Sequence, residues 1–117
     1  MEHLELGRLG EDITADCLAK KGYEILERNY RWKHLEIDLI CKDGEDVVFV
    51  EVKTRNSKFL GEPYLAVNAT KQRQLIKIAN EYIRTKNIMN EVRFDVMSIV
   101  LNASGAIKEH IQNAFTP

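Results

Sequence analysis

Hydrophobic positions along the chain change period several times, and each change marks an element. Over about residues 6–21 they recur at helical spacing: Leu6, Leu9, Ile13 and Cys17 form a stripe, and Lys20, Lys21 and Gly22 supply a cationic last turn and a stop. YEILERNY (23–30) predicts a strand, with residues 31–35 as a loop or its continuation. EIDLICK and VVFVEVKT predict two strands joined at DGED, a hairpin signal. After NSKFLGEP, the segment TKQRQLIKIANEYIRTK (70–86) returns to helical spacing, with Leu75, Ile78, Ala79 and Tyr82 facing inward. VRFDVMSIVL (92–101) predicts a strand, and NASG separates it from a candidate last strand, IKEHI. The order is α-β-β-β-α-β plus one candidate strand. Three antiparallel strands followed by a helical crossover to a parallel strand make an α/β sandwich on a mixed sheet. With no repeats or linkers, residues 1–117 read as a single domain.

Charges break the apolar pattern of the hairpin at Asp38, Glu51 and Lys53. Alternation puts Glu51 and Lys53 on one face with Val47 and Phe49, and Val48, Val50 and Val52 on the other. Both faces are apolar before Glu51, as in a central strand covered on both sides. On the partner strand, Asp38 shares a face with Glu36 and Ile40, while Ile37 and Leu39 take the opposite one. Pairing Asp43 with Asp46 across Gly44-Glu45 fixes a register that sets Asp38 opposite Glu51, with Cβ atoms roughly 5 Å apart. Two covered carboxylates that close repel each other and lose hydration, so one protonates or a cation sits between them. Mg2+, or Mn2+ in its place, suits oxygen donors: Asp38, Glu51 and the Val52 main-chain carbonyl, with Lys53 one pleat further to orient or activate a water. Glu11 lies on the Ala15–Leu18 side of the first helix, a partly apolar stripe from which it reaches toward the pair as a candidate further ligand.

Composition narrows the setting. The chain is 44% hydrophobic and 30% charged, an ordinary globular balance. No apolar run approaches the roughly 20 residues of a membrane span, and the acidic, helix-like start lacks the sections of a signal peptide. Cys17 and Cys41 form no CxxC pair and read as reduced core residues of a cytoplasmic protein. The scattered His3, His34 and His110 argue against zinc. The net charge of −1 hides an asymmetry: residues 1–52 carry seven Lys/Arg and thirteen Asp/Glu, whereas 53–93 carry nine and three. The basic segment is able to meet a polyanion if its cations converge on one surface.

An Asp followed thirteen residues later by E-x-K, on a hairpin after a helix bearing Glu, resembles the PD-(D/E)XK nuclease superfamily. More narrowly, LGRLGEDITADCLAKKGYEIL, EIDLI, VVFVEVKTR, GEPYLAV, KQRQL and RFDVM resemble the YraN-like family of small bacterial predicted endonucleases, over about residues 6–100. The resemblance implies a restriction-endonuclease-like αβββαβ core related to archaeal Holliday-junction resolvases. It further implies Mg2+-dependent hydrolysis of DNA, branched or structured DNA among the candidates, and a homodimer as a candidate assembly. Carried over by position, Asp38 and Glu51 match the metal-binding acids, Lys53 the catalytic lysine and Glu11 the helix acid. Ile37 stands where the superfamily name has Pro, and Leu35 where relatives often have Gly.

Around these acids, Arg55 and Lys58 border the site and are the better candidates for phosphate contacts. Lys71 and Gln72 lie near the apolar border of the second helix, within reach of the site. Arg73 and Lys77, with Arg84, form a basic stripe on its outer face, which by itself reads more readily as an ordinary solvated face. RNYRWKH (28–34) interleaves aromatic and basic residues, as nucleic-acid surfaces and ordinary strand packing both do. Asp95, inside an apolar strand, is given a structural partner in Arg93 or a loop, and no chemistry. The leading reading is a metal-dependent endonuclease. The alternatives are a non-catalytic nucleic-acid-binding module and an interaction domain presenting FLGEPYLAV.

Overall fold

The computed structural model describes residues 3–56 and 67–117. Among the described residues the elements follow in the order α1 (His3–Lys20), β1 (Glu24–Trp32), β2 (Leu35–Asp43), β3 (Asp46–Arg55), α2 (Ala69–Thr85), β4 (Val92–Asn102) and β5 (Gly105–Phe115). They build one five-stranded sheet in the order β1-β2-β3-β4-β5. Every neighbouring pair is antiparallel except β3–β4, which is parallel because α2 carries the chain back across the sheet. The expected mixed sheet and crossover are present, and the candidate last strand is a full element, longer at both ends than IKEHI. Among the described residues, no helix is long and apolar enough to cross a membrane.

The sheet is covered on both faces. On one, Leu75, Ile78, Ala79 and Tyr82 of α2 pack on Leu35, Ile37, Ile40, Val47, Phe49, Phe94 and Val96. On the other, Leu18 of α1 joins Leu39, Cys41, Val48, Val50, Met97 and Ile99. Fully burying each such aliphatic side chain is worth about 1.5–3 kcal/mol, so each helix is held chiefly by its packed face. The α2 helix starts where Asn68 caps it, its side chain accepting from Lys71 N. It stops at Asn87, whose φ of 53° takes the left-handed conformation that ends helices.

The face of α1 differs from the expected stripe. Leu6, Gly10, Thr14 and Leu18 form the buried line, four residues apart, whereas Leu9 is 36% exposed and Cys17 only half-buried. Gly10 is the reason. A Cβ there would stand 1.7 Å from Thr54 Oγ1, so the missing side chain lets α1 settle on β3. Thr14 tolerates burial by donating its hydroxyl to Gly10 O at 2.8 Å. A hydrophobicity stripe cannot register a glycine that attracts packing by its size.

Alternation also fails once in β2. Ile37 packs with Ile40 on the α2 side, while Leu39 packs on the α1 side, so Ile37 and Leu39 do not share a face as their spacing implies. On the facing strand, between the pairs Tyr30↔Ile37 and Arg28↔Leu39, Asn29 takes a φ of 52°. The kink turns both strands together and leaves Asp38 at the point where β2 changes face. Glu36 is carried to the α1 side, where Asn29 Nδ2 donates to it at 3.2 Å.

Candidate functional site

The hairpin register is the expected one. Asp43 pairs with Asp46 and the ladder runs to Leu39↔Val50. Beyond that pair β2 and β3 part, and Asp38 occupies the opening: its Oδ2 accepts the Val52 backbone N–H at 2.8 Å. Glu51, 5% exposed, faces it from β3. Burial, then the charge of Glu51 and a hydrogen bond between the two carboxyls, pushes Asp38 up to about 8. Asp38 therefore favours its protonated form at neutral pH.

Two ammonium groups flank Glu51. Lys53 Nζ stands 3.8 Å and Lys71 Nζ 3.4 Å from its Oε2, the first from the same strand and the second from the first turn of α2. A pocket of about 180 Å³ opens beside the pair, lined by Leu6, Gly7, Glu11, Asp38, Val52, Lys53 and Thr54. The close approach of α1 at Gly10 puts Glu11 on the rim of this pocket. Its carboxylate is directed at Asn29, whose Nδ2 donates to Oε1 at 2.9 Å, and burial raises its pKa with a smaller contribution from Asp38. Asp38 and Glu51 are thus brought together, and Glu11 stands near them on a different partner. Among the described residues, no group of three His, Cys, Asp or Glu side chains is close enough to hold a metal ion.

The donors that do converge fit a small hard cation. They are carboxylate oxygens in a poorly hydrated cleft, with no soft ligand among them.

The outlying candidates separate. Arg55 closes β3, and Lys58 lies outside the described residues. Gln72 is turned to its own helix start, donating from Nε2 to Val67 O at 3.0 Å. Arg73 and Lys77 are exposed, Arg73 bonded to Thr70 Oγ1. The aromatics of the 28–34 cluster serve packing: Tyr30 meets Tyr82 edge-on with ring centroids 5.0 Å apart, and Trp32 lies against the α2-side core.

A second polar centre went unread in the sequence. Asp95, 1% exposed, accepts two hydrogen bonds from Arg93 at 3.0 and 3.1 Å, one from Asn113 N at 2.9 Å and one contact from His110 Nε2 at 2.7 Å. Lys21 Nζ sits 3.0 Å from His110 Nδ1, and Arg93 also reaches Asp43 Oδ2 and the Tyr23 hydroxyl. The Arg93 pairing was expected. His110 and Tyr23 lie in other elements, and only the need of a buried carboxylate for donors hinted at them.

Comparison with known proteins places the chain. The model of the family described as "Uncharacterised protein family UPF0102" matches residues 10–99. The chain is 48% identical over 118 residues to a UPF0102 protein of Dictyoglomus thermophilum, covering 98% of this chain and 100% of that one. It is 43% identical over 114 residues to a UPF0102 protein of Christiangramia forsetii, covering 97% and 96%. With a UPF0102 protein of Syntrophus aciditrophicus it shares 44% over 115 residues, covering 97% and 91%. The chain belongs to the UPF0102 family.

Proposed function

We propose that this UPF0102 chain is a divalent-metal-dependent endonuclease of the PD-(D/E)XK type, with a restriction-endonuclease-like core, that hydrolyses phosphodiester bonds in DNA, branched or otherwise structured DNA being the favoured substrate. One observation carries the reading: Asp38 and Glu51, from two separating strands, share a poorly hydrated cleft flanked by Lys53 and Lys71. A structural ion pair needs no second acid, whereas a cation site does. Bound there, Mg2+ or Mn2+ supplies Lewis acidity toward a phosphoryl oxygen and charge to offset that of the transition state.

The chain's own groups have distinct tasks in this reading. Asp38 and Glu51 would present oxygens to the ion, with Asp38 fixed in place by the Val52 N–H on its Oδ2. Lys53, partly exposed, orients the attacking water for in-line approach and counters negative charge that grows on the phosphoryl oxygens. Glu11, released from Asn29, supplies a further oxygen at the rim. The basic residues Arg55, Lys58, Arg73 and Lys77 bear on phosphates further along the strand.

The test is cleavage of branched, single-stranded and duplex DNA by purified protein with Mg2+ or Mn2+. Glu51→Ala and Lys53→Ala are expected to lower the rate by about 10²–10³ each, as lost transition-state electrostatics do. Cutting by these variants at the parent's rate, or none by the parent on any substrate, defeats the proposal. The engagement of Glu11 with Asn29, which leaves two carboxylates rather than three together, favours one rival: a nucleic-acid-binding module without turnover. That rival predicts salt-dependent binding with no metal requirement.

A further inference from the structure

Lys71 is in an electrostatically unfavourable place for a helix. It occupies the first turn of α2, where the backbone already presents positive charge, and no acidic residue accompanies it there. Nothing in the capping needs a cation, because Asn68 takes Lys71 through its backbone N–H and not its side chain. What compensates is Glu51, 3.4 Å from Nζ and nearly buried. Lys71 itself is 34% exposed, so it meets both the acid and solvent.

The charges around Glu51 then matter as a set. With Asp38 and Glu51 ionised, two carboxylates face the two ammonium groups of Lys53 and Lys71, and the cleft is balanced. Adding a divalent ion leaves an excess of two positive charges in a partly desolvated space, which opposes loading of the ion. The excess is halved if one ammonium leaves Glu51 for an anion arriving with the substrate. Lys53 is tied to the same strand two residues from Glu51, whereas Lys71 comes from a separate element on a four-carbon stem.

We propose that Lys71 is a positioning residue that guards Glu51: its ammonium competes with the divalent ion for Glu51 in the free protein and transfers to a phosphodiester oxygen when DNA enters. Ion and phosphate thereby bind cooperatively, and the protein loads its metal mainly in the presence of substrate. This rests on the metal-site reading above and adds the coupling to it.

Calorimetric titration with Mn2+, with and without a nuclease-resistant phosphorothioate oligodeoxynucleotide, reads the coupling directly. In the parent, the oligonucleotide is expected to tighten Mn2+ binding by about tenfold, a typical coupling between two sites. Lys71→Met is expected to tighten Mn2+ binding to the free protein by about tenfold and to lose most of the gain from the oligonucleotide. Lys71→Gln repeats that behaviour, Lys71→Arg restores the coupling, and all three melt with the parent, which separates the effect from a structural one. If Lys71→Met binds Mn2+ no better than the parent, or the oligonucleotide still tightens it equally, the guard is overturned while the metal site stands. If neither parent nor variants bind Mn2+, the metal site falls and the guard with it.

Discussion

Asp38 and Asp95 are both carboxylates set into the same sheet, and their surroundings push them in opposite directions. Asp95 receives Arg93, His110 and a backbone N–H, and these hydrogen bonds hold its carboxyl below the usual range despite its burial. Asp38 receives one N–H and a second carboxylate, and rises to about 8. Asp95 is on the α1 side among residues that tie β4 and β5 to the start of β1. Asp38 sits at the opening where β2 and β3 part, beside a pocket. A buried charge whose partners are all supplied by the fold serves the fold. One whose environment remains unfavourable is accounted for by something the chain must bind.

The largest expected effect tests the satisfied centre. Arg93→Met strands the buried Asp95 and also frees Asp43, so urea unfolding should show a loss of about 3–5 kcal/mol, with Mn2+ titration unchanged. A smaller loss would mean that His110 and Asn113 suffice and that Asp95 is less dependent on charge than the contrast requires.

Next comes Gly10→Ala, which forces α1 away from Thr54. A cost of about 1–3 kcal/mol is expected from overpacking. Because the displaced helix carries Glu11, metal binding should weaken as well, while the Asp95 network keeps its pH response. Equal melting of variant and parent would show that Thr54 moves aside freely.

The smallest effect is the most specific, because the two acids should give opposite pH slopes. The folded pKa of Asp38 lies above its ordinary 3.8, so its contribution to stability is whole in acid and lost as pH rises through about 8. Metal-free Asp38→Asn should therefore match the parent near pH 4 and exceed it by about 1–2 kcal/mol at pH 8–9, discounted for partial exposure and the nearby lysines. The folded pKa of Asp95 is lowered, so its contribution is present above the ordinary value and lost as pH falls through the folded one. Asp95→Asn should cost most at neutral pH and progressively less in strong acid. Thermal melting across that range decides it: parallel slopes for the two variants would erase the distinction between the centres.

Much of this architecture was legible in the chain. The DGED turn, flanked by apolar runs, fixed the β2–β3 register to the residue, because a two-residue hairpin leaves no freedom to slip. The inward face of α2 followed from spacing, since four apolar residues at helical intervals have a single face to share. Asp38, Glu51 and Lys53 stood out because charge inside a covered strand demands compensation. The buried line of α1 was misread, since Gly10 and Thr14 carry no hydrophobic signal. The β5 strand was underestimated because Gln112 and Asn113 interrupt its pattern, while pairing of Phe115 with Phe94 extends it.

Local chemistry written in sequence order settled the elements, the hairpin register and the identity of the conflicting charges, all of which depend on neighbours a few residues apart. Tertiary structure alone decided which side Asp38 takes at the kink with Asn29, that Lys71 meets Glu51 and Glu11 meets Asn29, and that His110 completes the shell of Asp95. Those contacts join residues from distant elements, and their geometry is set by how closely two helices approach a twisted sheet, a distance that no periodicity encodes.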